Sequence, residues 1–397
     1  MSYILQYRIS GSIIDIQIHW KRGRILIKNL LKHTDYIVLA CVVILFIIGV
    51  IGIFSAGYNT DINKNEYIKQ IIWFSAVSVM IVVIWAIDYN FFDIGGYALY
   101  LINVILLGVV LFMPSLMGAS SWFNFGGFLY QPSELMKIGY IICTAKFISV
   151  FKNSLTQTDK KKKILYVIGL GLLFIIPVGL IMLQPDFGTA MAFCFILAFM
   201  LFKSGLSYRY ILIGFILVLI LVPIIYFLLL NPTQQQRIKV FINPNLDPLG
   251  SGYNAIQSKI AVGSGMLFGT GLLKGAQTQY GYLPIKSTDF IFSVISEEMG
   301  FVMSVIVILV YVVLLIRLIW ISKNARDDFS SLMVIGVAGM MFFHFAQNIG
   351  MTIGLLPITG VPLPFVSYGG SSMITNGIAI GICLNVSARR AKQTIFD

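Results

Sequence analysis

Long apolar stretches separated by short polar ones dominate the chain. They lie at about 36–57, 68–87, 94–113, 132–151, 164–183, 188–202, 210–230, 290–316, 329–352 and 370–387. A helix needs about 20 mostly apolar residues to cross the hydrocarbon core of a bilayer. The pattern therefore predicts an all-α, polytopic integral membrane protein with about ten transmembrane helices.

The composition agrees with this prediction. Hydrophobic residues make up 58% of the chain and charged residues 11%, whereas soluble domains carry about 25% charged residues. The four cysteines lie far apart inside apolar stretches and the three histidines show no metal-ligand spacing, so we expect neither a disulfide framework nor a histidine metal site.

The basic residues are distributed unequally between the two sides of the predicted bundle. If the N-terminus is inside, the inner segments hold 19 Lys and Arg and the outer segments hold 7. The positive-inside rule then places both termini in the cytoplasm. We expect a basic arm at 1–34, a membrane domain at 35–390 and a short tail at 391–397. This two-sided distribution, rather than one basic face, argues against a nucleic-acid partner for the net charge of +12.

Two of the predicted outer loops are long, at 114–131 and at 231–289, the second between spans 7 and 8. Loops of this length are usually functional or disordered. Residues 252–268 are apolar enough to form a short helix at the membrane interface. An ordered connector without further function is the alternative.

Six carboxylates fall on or near the outer half: Glu134, Asp186, Asp247, Asp289, Glu297 and Glu298. Asp289 stands at the entrance of a span, where it either caps the helix or acts as a general base in a membrane-level cavity. A partly dried carboxylate gains basicity, which favours the second role.

The other outer carboxylates have structural alternatives. Glu134 lies three residues before Lys137, so the two can pair on one helix face. Asp186, in "QPDFGT", can cap the following helix. Glu297 and Glu298 point about 100° apart on a helix, so at most one of them faces a given cavity.

The segment 354–373, "GLLPITGVPLPFVSYGGSSM", cannot form a continuous helix because it holds three prolines and a Gly-Gly pair. Irregular backbone at membrane depth is tolerated only against protein or a wet cavity. We therefore predict that this segment lines the same outer-facing cavity as the entrance at 289, with hydroxyls from Ser367, Tyr368 and Ser371.

Five motifs occur in an order that resembles the SEDS family of RodA, FtsW and SpoVE, and the similarity to RodA is greatest. They are "GASSWFNFGGFLYQPSELMK", "QPDFGTA", "GSGYNAIQSKIAVGSG", "LPIKSTDFIFSVISEEMG" and "LLPITGVPLPFVSYGGSSM", and the resemblance covers about 35–390. It implies a ten-span peptidoglycan glycosyltransferase of the bacterial cytoplasmic membrane. The enzyme would polymerise lipid II at the outer face during cell-wall elongation, with a class B penicillin-binding protein as partner.

By the same resemblance, Asp289 is the essential acid, acting as general base on the 4-hydroxyl of the acceptor sugar. Trp122 matches the functional tryptophan of the family and could stack on a sugar, with an interfacial belt position as the alternative. The substrate-binding candidates are Trp122, Glu134, Lys137, Asp186, Lys286, Glu297, Ser367, Tyr368 and Ser371.

Two residues depart from the family pattern. Ser287 stands where many relatives have His, and Ser121 stands where many have a basic residue. Other cations could then meet the pyrophosphate leaving group: Lys137, Arg237, Lys239, Lys259, Lys274 and Lys286. The sequence fixes no cofactor, and a divalent ion such as Mg²⁺ or Mn²⁺ is the candidate that would assist the leaving group. No acidic cluster is dense enough to predict a dedicated metal cage.

Two other functions are compatible with an outer-facing acidic cavity. A lipid II flippase should show repeated halves with interrupted helices, but only "QPSE" and "QPDFG" weakly echo one another. A non-catalytic scaffold for wall-synthesis proteins would tolerate replacement of Asp289.

Overall fold

The computed structural model describes residues 30–59, 64–113, 121–126, 128–156, 160–205 and 232–390. The predicted seventh span at 210–230, most of the basic arm and the tail at 391–397 lie outside these residues. The helices are α1 Tyr36–Gly57, α2 Glu66–Ala86, α3 Asn90–Val110, α4 Pro132–Thr156, α5 Lys160–Leu183, α6 Phe187–Lys203, α7 Pro232–Ile242, α8 Ser251–Ser264, α9 Ala276–Gln279, α10 Ile291–Lys323, α11 Asp328–Thr352 and α12 Gly370–Arg389.

Within the described residues, seven helices are long and apolar enough to cross a membrane: α1, α2, α3, α5, α10, α11 and α12. The predicted fourth and sixth spans also form helices. Helix α4 carries Glu134, Lys137 and Lys146, and α6 has 17 residues, which cover about 25 Å. The fold class is confirmed, while the total of ten spans and the cytoplasmic termini stay predictions.

The long outer loops contain more regular structure than the sequence predicts. The described end of the first loop forms a hairpin of strands β1 Phe123–Phe125 and β2 Phe128–Tyr130, paired at Phe123↔Tyr130. This hairpin is a small exception to the all-α prediction. The second loop folds into α7, a 3-10 turn at Pro244–Leu246, α8 and α9. Helix α8 confirms a helix within the predicted stretch 252–268, although it ends at Ser264, and its position at the membrane interface stays a prediction.

Helices α11 and α12 form the centre of the bundle. In the apolar stretch of each of these two helices, 83% of the residues are buried, against 22% to 28% in α2, α3 and α5. Helix α11 packs against α4, α6 and α10, and α12 packs against α2. The peripheral helices therefore present apolar side chains to lipid, and the polar residues of α11 face other protein segments.

Helix α10 is interrupted at Gly300, which has φ 78°. The segment 265–271 supplies hydrogen bonds at this break. Thr270 N donates to Glu297 O at 2.9 Å, and Phe301 N donates to Met266 O at 2.9 Å. Because the outer loop completes the broken helix in this way, the loop and the outer end of α10 form one unit.

Candidate active site

Asp289 lies immediately before α10, which begins at Ile291. The N-cap position belongs to Phe290, whose apolar side chain offers no hydrogen-bond acceptor, so the prediction that Asp289 caps this helix is wrong. The backbone carbonyl of Asp289 accepts a hydrogen bond from Asn348 Nδ2 of α11 at 2.9 Å. The backbone of Asp289 is thereby attached to α11 at the end of the bundle where α10 begins.

The segment 359–362 forms the wall opposite Asp289. A Cβ atom placed on Gly360, whose φ is +71°, would lie 3.3 Å from Asp289 Oδ2. The same amide of Asn348 also donates to Val361 O at 2.8 Å. One side chain of α11 thus fixes both the Asp289 segment and the loop that faces it.

The predicted contact between the 289 entrance and the segment 354–373 is confirmed. Ser367 Oγ donates to Thr288 O at 2.6 Å, and Tyr368 N donates to Ser287 O at 2.9 Å. Ser367 Oγ also accepts from Leu363 N at 2.8 Å. These contacts show Ser367 and the backbone of Tyr368 building the wall of the site.

Burial raises the pKa of Asp289 to about 6, against the opposing effects of the Thr288 hydroxyl and the Arg237 charge. Removal of a carboxylate from water disfavours its charged form, which makes the group a stronger base. A pKa near the working pH suits a general base, because the group is largely ionised and still accepts a proton readily.

A cleft between α7, α8 and the end of α11 brings two of the candidate cations together. Arg237 of α7 and Lys259 of α8 line it, and the charge of Arg237 reaches Asp289. Neither side chain forms an ion pair with any residue of the described part. The remaining lining residues are Val240, Phe241, Pro244, Ser251, Ala255, Met351, Gly354, Leu356 and Ile358. The cleft therefore offers two cations to an anionic group.

The predicted pair of Glu134 and Lys137 is confirmed, with Lys137 Nζ 2.8 Å from Glu134 Oε1. Lys137 is 1% exposed and its Nζ also lies 2.9 Å from His344 Nε2 of α11. The other ring nitrogen, Nδ1, lies 3.1 Å from Pro362 O. This buried chain of polar groups runs from α4 to the loop that faces Asp289.

Asp186 caps α6, which confirms the structural alternative given for this residue. Its Oδ1 accepts from Thr189 N at 3.0 Å and its Oδ2 accepts from Gln131 Nε2 at 2.9 Å. Burial raises the pKa of Asp186, with the negative charge of Glu134 acting in the same direction. Asp186 therefore joins the "QPDFGT" turn to the start of α4.

Lys286 and Glu297 belong to a second cluster rather than to the Asp289 wall. Glu297 accepts from Gln277 N at 2.8 Å, Thr278 N at 3.0 Å and Thr278 Oγ1 at 2.6 Å. Lys286 Nζ donates to Thr278 O at 2.6 Å, and burial lowers the pKa of this ammonium. Glu298 accepts from Gln279 and Ser55. Both glutamates thus hold α9, and the prediction that Glu297 and Lys286 contact substrate gains no support from these contacts.

Trp122 and Ser371 lie with the hairpin. Trp122 directly precedes β1 and is partly buried, while its neighbour Ser121 donates to Gln184 O at 3.3 Å. Ser371 Oγ, in the first turn of α12, donates to Leu129 O at 2.9 Å. Ser371 therefore anchors the hairpin, and stacking of Trp122 on a sugar stays a prediction.

His344 and Asn348 belong to the site but were not predicted from the sequence. They stand four residues apart in α11, so they share one face of a helix inside the membrane domain. Polar side chains inside an apolar span usually face the protein interior and often mark function. That signal was available from the sequence.

The described residues contain no group of three or more His, Cys, Asp or Glu side chains arranged to hold a metal ion. The donor set within them does not fit a protein-held Mg²⁺ or Mn²⁺ site, which needs several oxygen ligands. The assistance of a divalent ion stays a prediction.

The fold and site define a multi-pass membrane protein with a partly buried carboxylate at one end of its central helices. The model of the cell cycle protein family of FtsW, RodA and SpoVE matches residues 35–392. The chain belongs to this family and is a multi-pass protein of the bacterial inner membrane.

Individual relatives match over nearly their whole length. The peptidoglycan glycosyltransferase MrdB of Escherichia coli is 38% identical over 90% of this chain and 94% of its own. The peptidoglycan glycosyltransferase RodA of Treponema pallidum is 33% identical over 90% and 98%.

Solved structures are similar as well. One is a peptidoglycan synthase complex that coordinates polymerization and crosslinking, with a TM-score of 0.75 and 29% identity over 90% of this chain and 99% of the matched chain. Another is the rod shape determining protein RodA of Thermus thermophilus, with a TM-score of 0.65 and 25% identity over 90% and 98%.

Proposed function

We propose that this chain is a peptidoglycan glycosyltransferase that polymerises lipid II at the outer face of the cytoplasmic membrane during cell-wall elongation. Relatives that match over most of their length carry the name of that activity. The observation that supports Asp289 as the general base is its partly buried carboxylate, whose pKa is about 6 and which the charge of Arg237 reaches from the cleft.

The reaction needs one proton transfer and one displacement. Asp289 takes the proton of the acceptor sugar's 4-hydroxyl, and the resulting oxygen attacks the anomeric carbon of the donor. A new glycosidic bond forms as the bond from that carbon to the diphosphate oxygen breaks. The undecaprenyl diphosphate departs with the bonding electrons, and the anomeric centre is inverted.

Arg237 and Lys259 are the cations we assign to the diphosphate. Lys137 and Lys286 are each held by protein acceptors at hydrogen-bond distance, whereas Arg237 and Lys259 line the cleft without an ion-pair partner among the described residues. Fixed positive charge where the leaving group gains negative charge lowers the barrier of the step. Hydrogen bonds from guanidinium and ammonium groups to phosphate oxygens are among the strong ones in proteins.

A class B penicillin-binding protein is the proposed partner. The likeness to a solved peptidoglycan synthase complex that joins polymerization to crosslinking supports this assignment, because crosslinking is the activity of a transpeptidase. The partner would receive the strands made beside Asp289.

The test is polymerisation of labelled lipid II by the purified chain with a cognate class B partner. Asp289→Asn should lower the rate about 10²–10⁴-fold while lipid II binding is retained. The double change Arg237→Gln and Lys259→Gln should lower it about 10-fold or more. Lys239 was also a candidate cation, but it is exposed on α7 and does not line the cleft, so Lys239→Gln should leave the rate unchanged.

Each failure has a distinct meaning. Polymerisation by Asp289→Asn at the wild-type rate would remove Asp289 from catalysis and turn attention to flippase or scaffold functions. An equal loss in Lys239→Gln and the cleft variant would show that bulk positive charge, rather than the cleft, acts on the substrate.

A further inference from the structure

His344 joins two parts of the molecule that carry separate functional groups. Its ring lies between Lys137 of α4 and the carbonyl of Pro362. We infer that His344 is a positioning residue, which holds the loop 359–362 against Asp289 and so maintains the dry surroundings of the general base. The inference rests on the function proposed above for Asp289.

The hydrogen bonds assign the protonation state of the ring. The Pro362 carbonyl can only accept, so Nδ1 carries a hydrogen and donates it. The Lys137 ammonium has donors and no acceptor, so Nε2 must present its lone pair to it. His344 is therefore the neutral Nδ1–H tautomer, with both nitrogens occupied.

Two side chains of α11 hold consecutive residues of the loop. His344 bonds the carbonyl of Pro362, and Asn348, one turn further along, bonds the carbonyl of Val361. Gly360 precedes these two and directly faces the Asp289 carboxylate. A shift at 361 or 362 is therefore transmitted to the residue that covers Asp289.

The loop depends on these side chains because its own backbone cannot fix it. Residues 357–363 adopt no regular structure, and Pro357 and Pro362 have no N–H to donate. Gln347 Nε2 donates to Pro357 O at 2.8 Å at the start of this stretch, and Asn348 holds Val361 O. His344 adds the attachment at Pro362 and connects the loop to the Glu134–Lys137 pair, whose members are both buried.

Removal of the imidazole has two local effects. The Lys137 ammonium and the Pro362 carbonyl each lose a partner in a buried place, which is costly for polar groups. The loop then shifts toward other partners and water reaches Asp289. A wetter carboxylate is a weaker base, so the catalytic step slows while the outer cleft that binds the diphosphate keeps its residues.

A purely structural histidine predicts a different result. Loss of a buried hydrogen bond elsewhere lowers the amount of folded protein without altering how Asp289 titrates. Ser331→Ala provides that comparison, because Ser331 is a buried residue of the same helix, bonded to Ser322 at the opposite end. The acid limb of the pH–rate profile is the range in which the rate falls as Asp289 becomes protonated. Its position shifts if His344 positions the loop and stays unchanged if His344 only stabilises the fold.

The experiment measures lipid II polymerisation against pH for the full chain with its partner. In His344→Leu we expect kcat to fall at least tenfold, KM to change less than twofold, and the acid limb to move to lower pH than in the wild type. His344→Gln can donate to Pro362 and accept from Lys137, so it should recover most of kcat and the limb. Ser331→Ala should keep the wild-type limb.

The outcomes are distinguishable. Unchanged kcat and acid limb in His344→Leu, with Asp289→Asn inactive, would overturn the inference and leave the proposed function standing. An active Asp289→Asn would overturn both. If His344→Leu does not fold, His344→Asn, too short to reach both partners, replaces it. A wild-type kcat and limb in His344→Asn would overturn the inference.

Discussion

Charged side chains at the centre of this molecule are stabilised in two different ways. Lys137 has Glu134 and His344 as partners within 3 Å. Asp289 instead receives a hydroxyl from Thr288 and a more distant charge from Arg237, which together do not offset its burial. A carboxylate kept in this state costs folding stability, which is common for groups that act as bases.

Asp289→Asn should therefore make the protein more stable while it removes activity. Because the folded-state pKa is about 6 and the reference value about 3.9, the folded protein binds a proton more tightly than the unfolded chain does. Stability from this group falls as pH rises between about 4 and 6. Above that window the amide should gain about 1–3 kcal/mol over the carboxylate.

Thermal unfolding in detergent at pH 8 and at pH 4 checks this prediction. The midpoint of Asp289→Asn should exceed that of the wild type at pH 8, and the two should converge near pH 4. A lower midpoint at pH 8 would mean that the ionised carboxylate has a stabilising partner in the folded protein.

The sequence predicts the residues of the site better than their roles. Asp289 stands out because a carboxylate at the mouth of an apolar span is rare. Glu134 and Lys137 stand out because their spacing places them on one helix face. The bonding of Glu297 to Thr278 could not be predicted, because it depends on where a loop 19 residues away returns in space. The cleft of Arg237 and Lys259 could not be predicted either, because it depends on how α7 and α8 pack together.

Among the elements, α10 is the one whose structure departs most from a simple span. Its part from Phe301 to Lys323 covers about 34 Å, enough to cross the hydrocarbon core. Its outer part, Ile291 to Glu298, is buried on all sides. The break at Gly300 lets the helix combine a membrane span with an enclosed support for the Asp289 segment.

Gly300→Ala should destabilise this element strongly. Gly300 has φ 78°, and a Cβ atom added to it would lie 2.2 Å from Gly269 N. The backbone there, with φ 78° and ψ −173°, is open essentially only to glycine and costs another residue about 1–3 kcal/mol, and the clash displaces the segment 265–271. Thermal unfolding should show a clear fall in the midpoint, and polymerisation should decline with it.

Gly263→Ala is the matched control in the same loop. Gly263 lies near the end of α8 with nothing within 4 Å of an added Cβ, and alanine favours a helix by about 0.5–1 kcal/mol over glycine. Its midpoint should stay level or rise. Equal losses in both variants would place the sensitivity in the loop as a whole rather than at the break.

Helix positions were predictable to within a few residues wherever apolar character decides them. Helix α1 has the predicted bounds, while α10 runs past its predicted end at 316. There Arg317 pairs with Asp35, and Arg317 and Arg390 stack on Trp320, so the helix continues through polar contacts. Helices α7 and α9 were not predicted, because neither shows an apolar period that distinguishes it from a loop.

At the scale of the whole molecule, the ends of the bundle differ in chemistry. Asp289, Arg237 and Lys259 gather at the end where α10 begins, whereas Arg317 and Arg390 gather near the end where it finishes. The basic loops predicted to be inside belong to the second end. The orientation of the site thus follows from the distribution of Lys and Arg.

Cysteine labelling checks this orientation. In a variant whose four native cysteines are replaced by alanine, Leu249→Cys should react with a membrane-impermeant maleimide from outside the cell, because Leu249 is 95% exposed in the outer loop. Lys161→Cys should react only after the membrane is opened. Labelling of Lys161→Cys in intact cells would reverse the predicted topology.

The broken helix α10 also constrains the order in which the chain matures. The segment 265–271 leaves the ribosome before residues 297–302, yet its backbone bonds are made with them. Until α10 has been synthesised and inserted, the outer loop cannot complete its structure on the far side of the membrane. A nascent chain that stops before residue 302 therefore displays an incomplete loop, which extracytoplasmic proteases can recognise as unfinished.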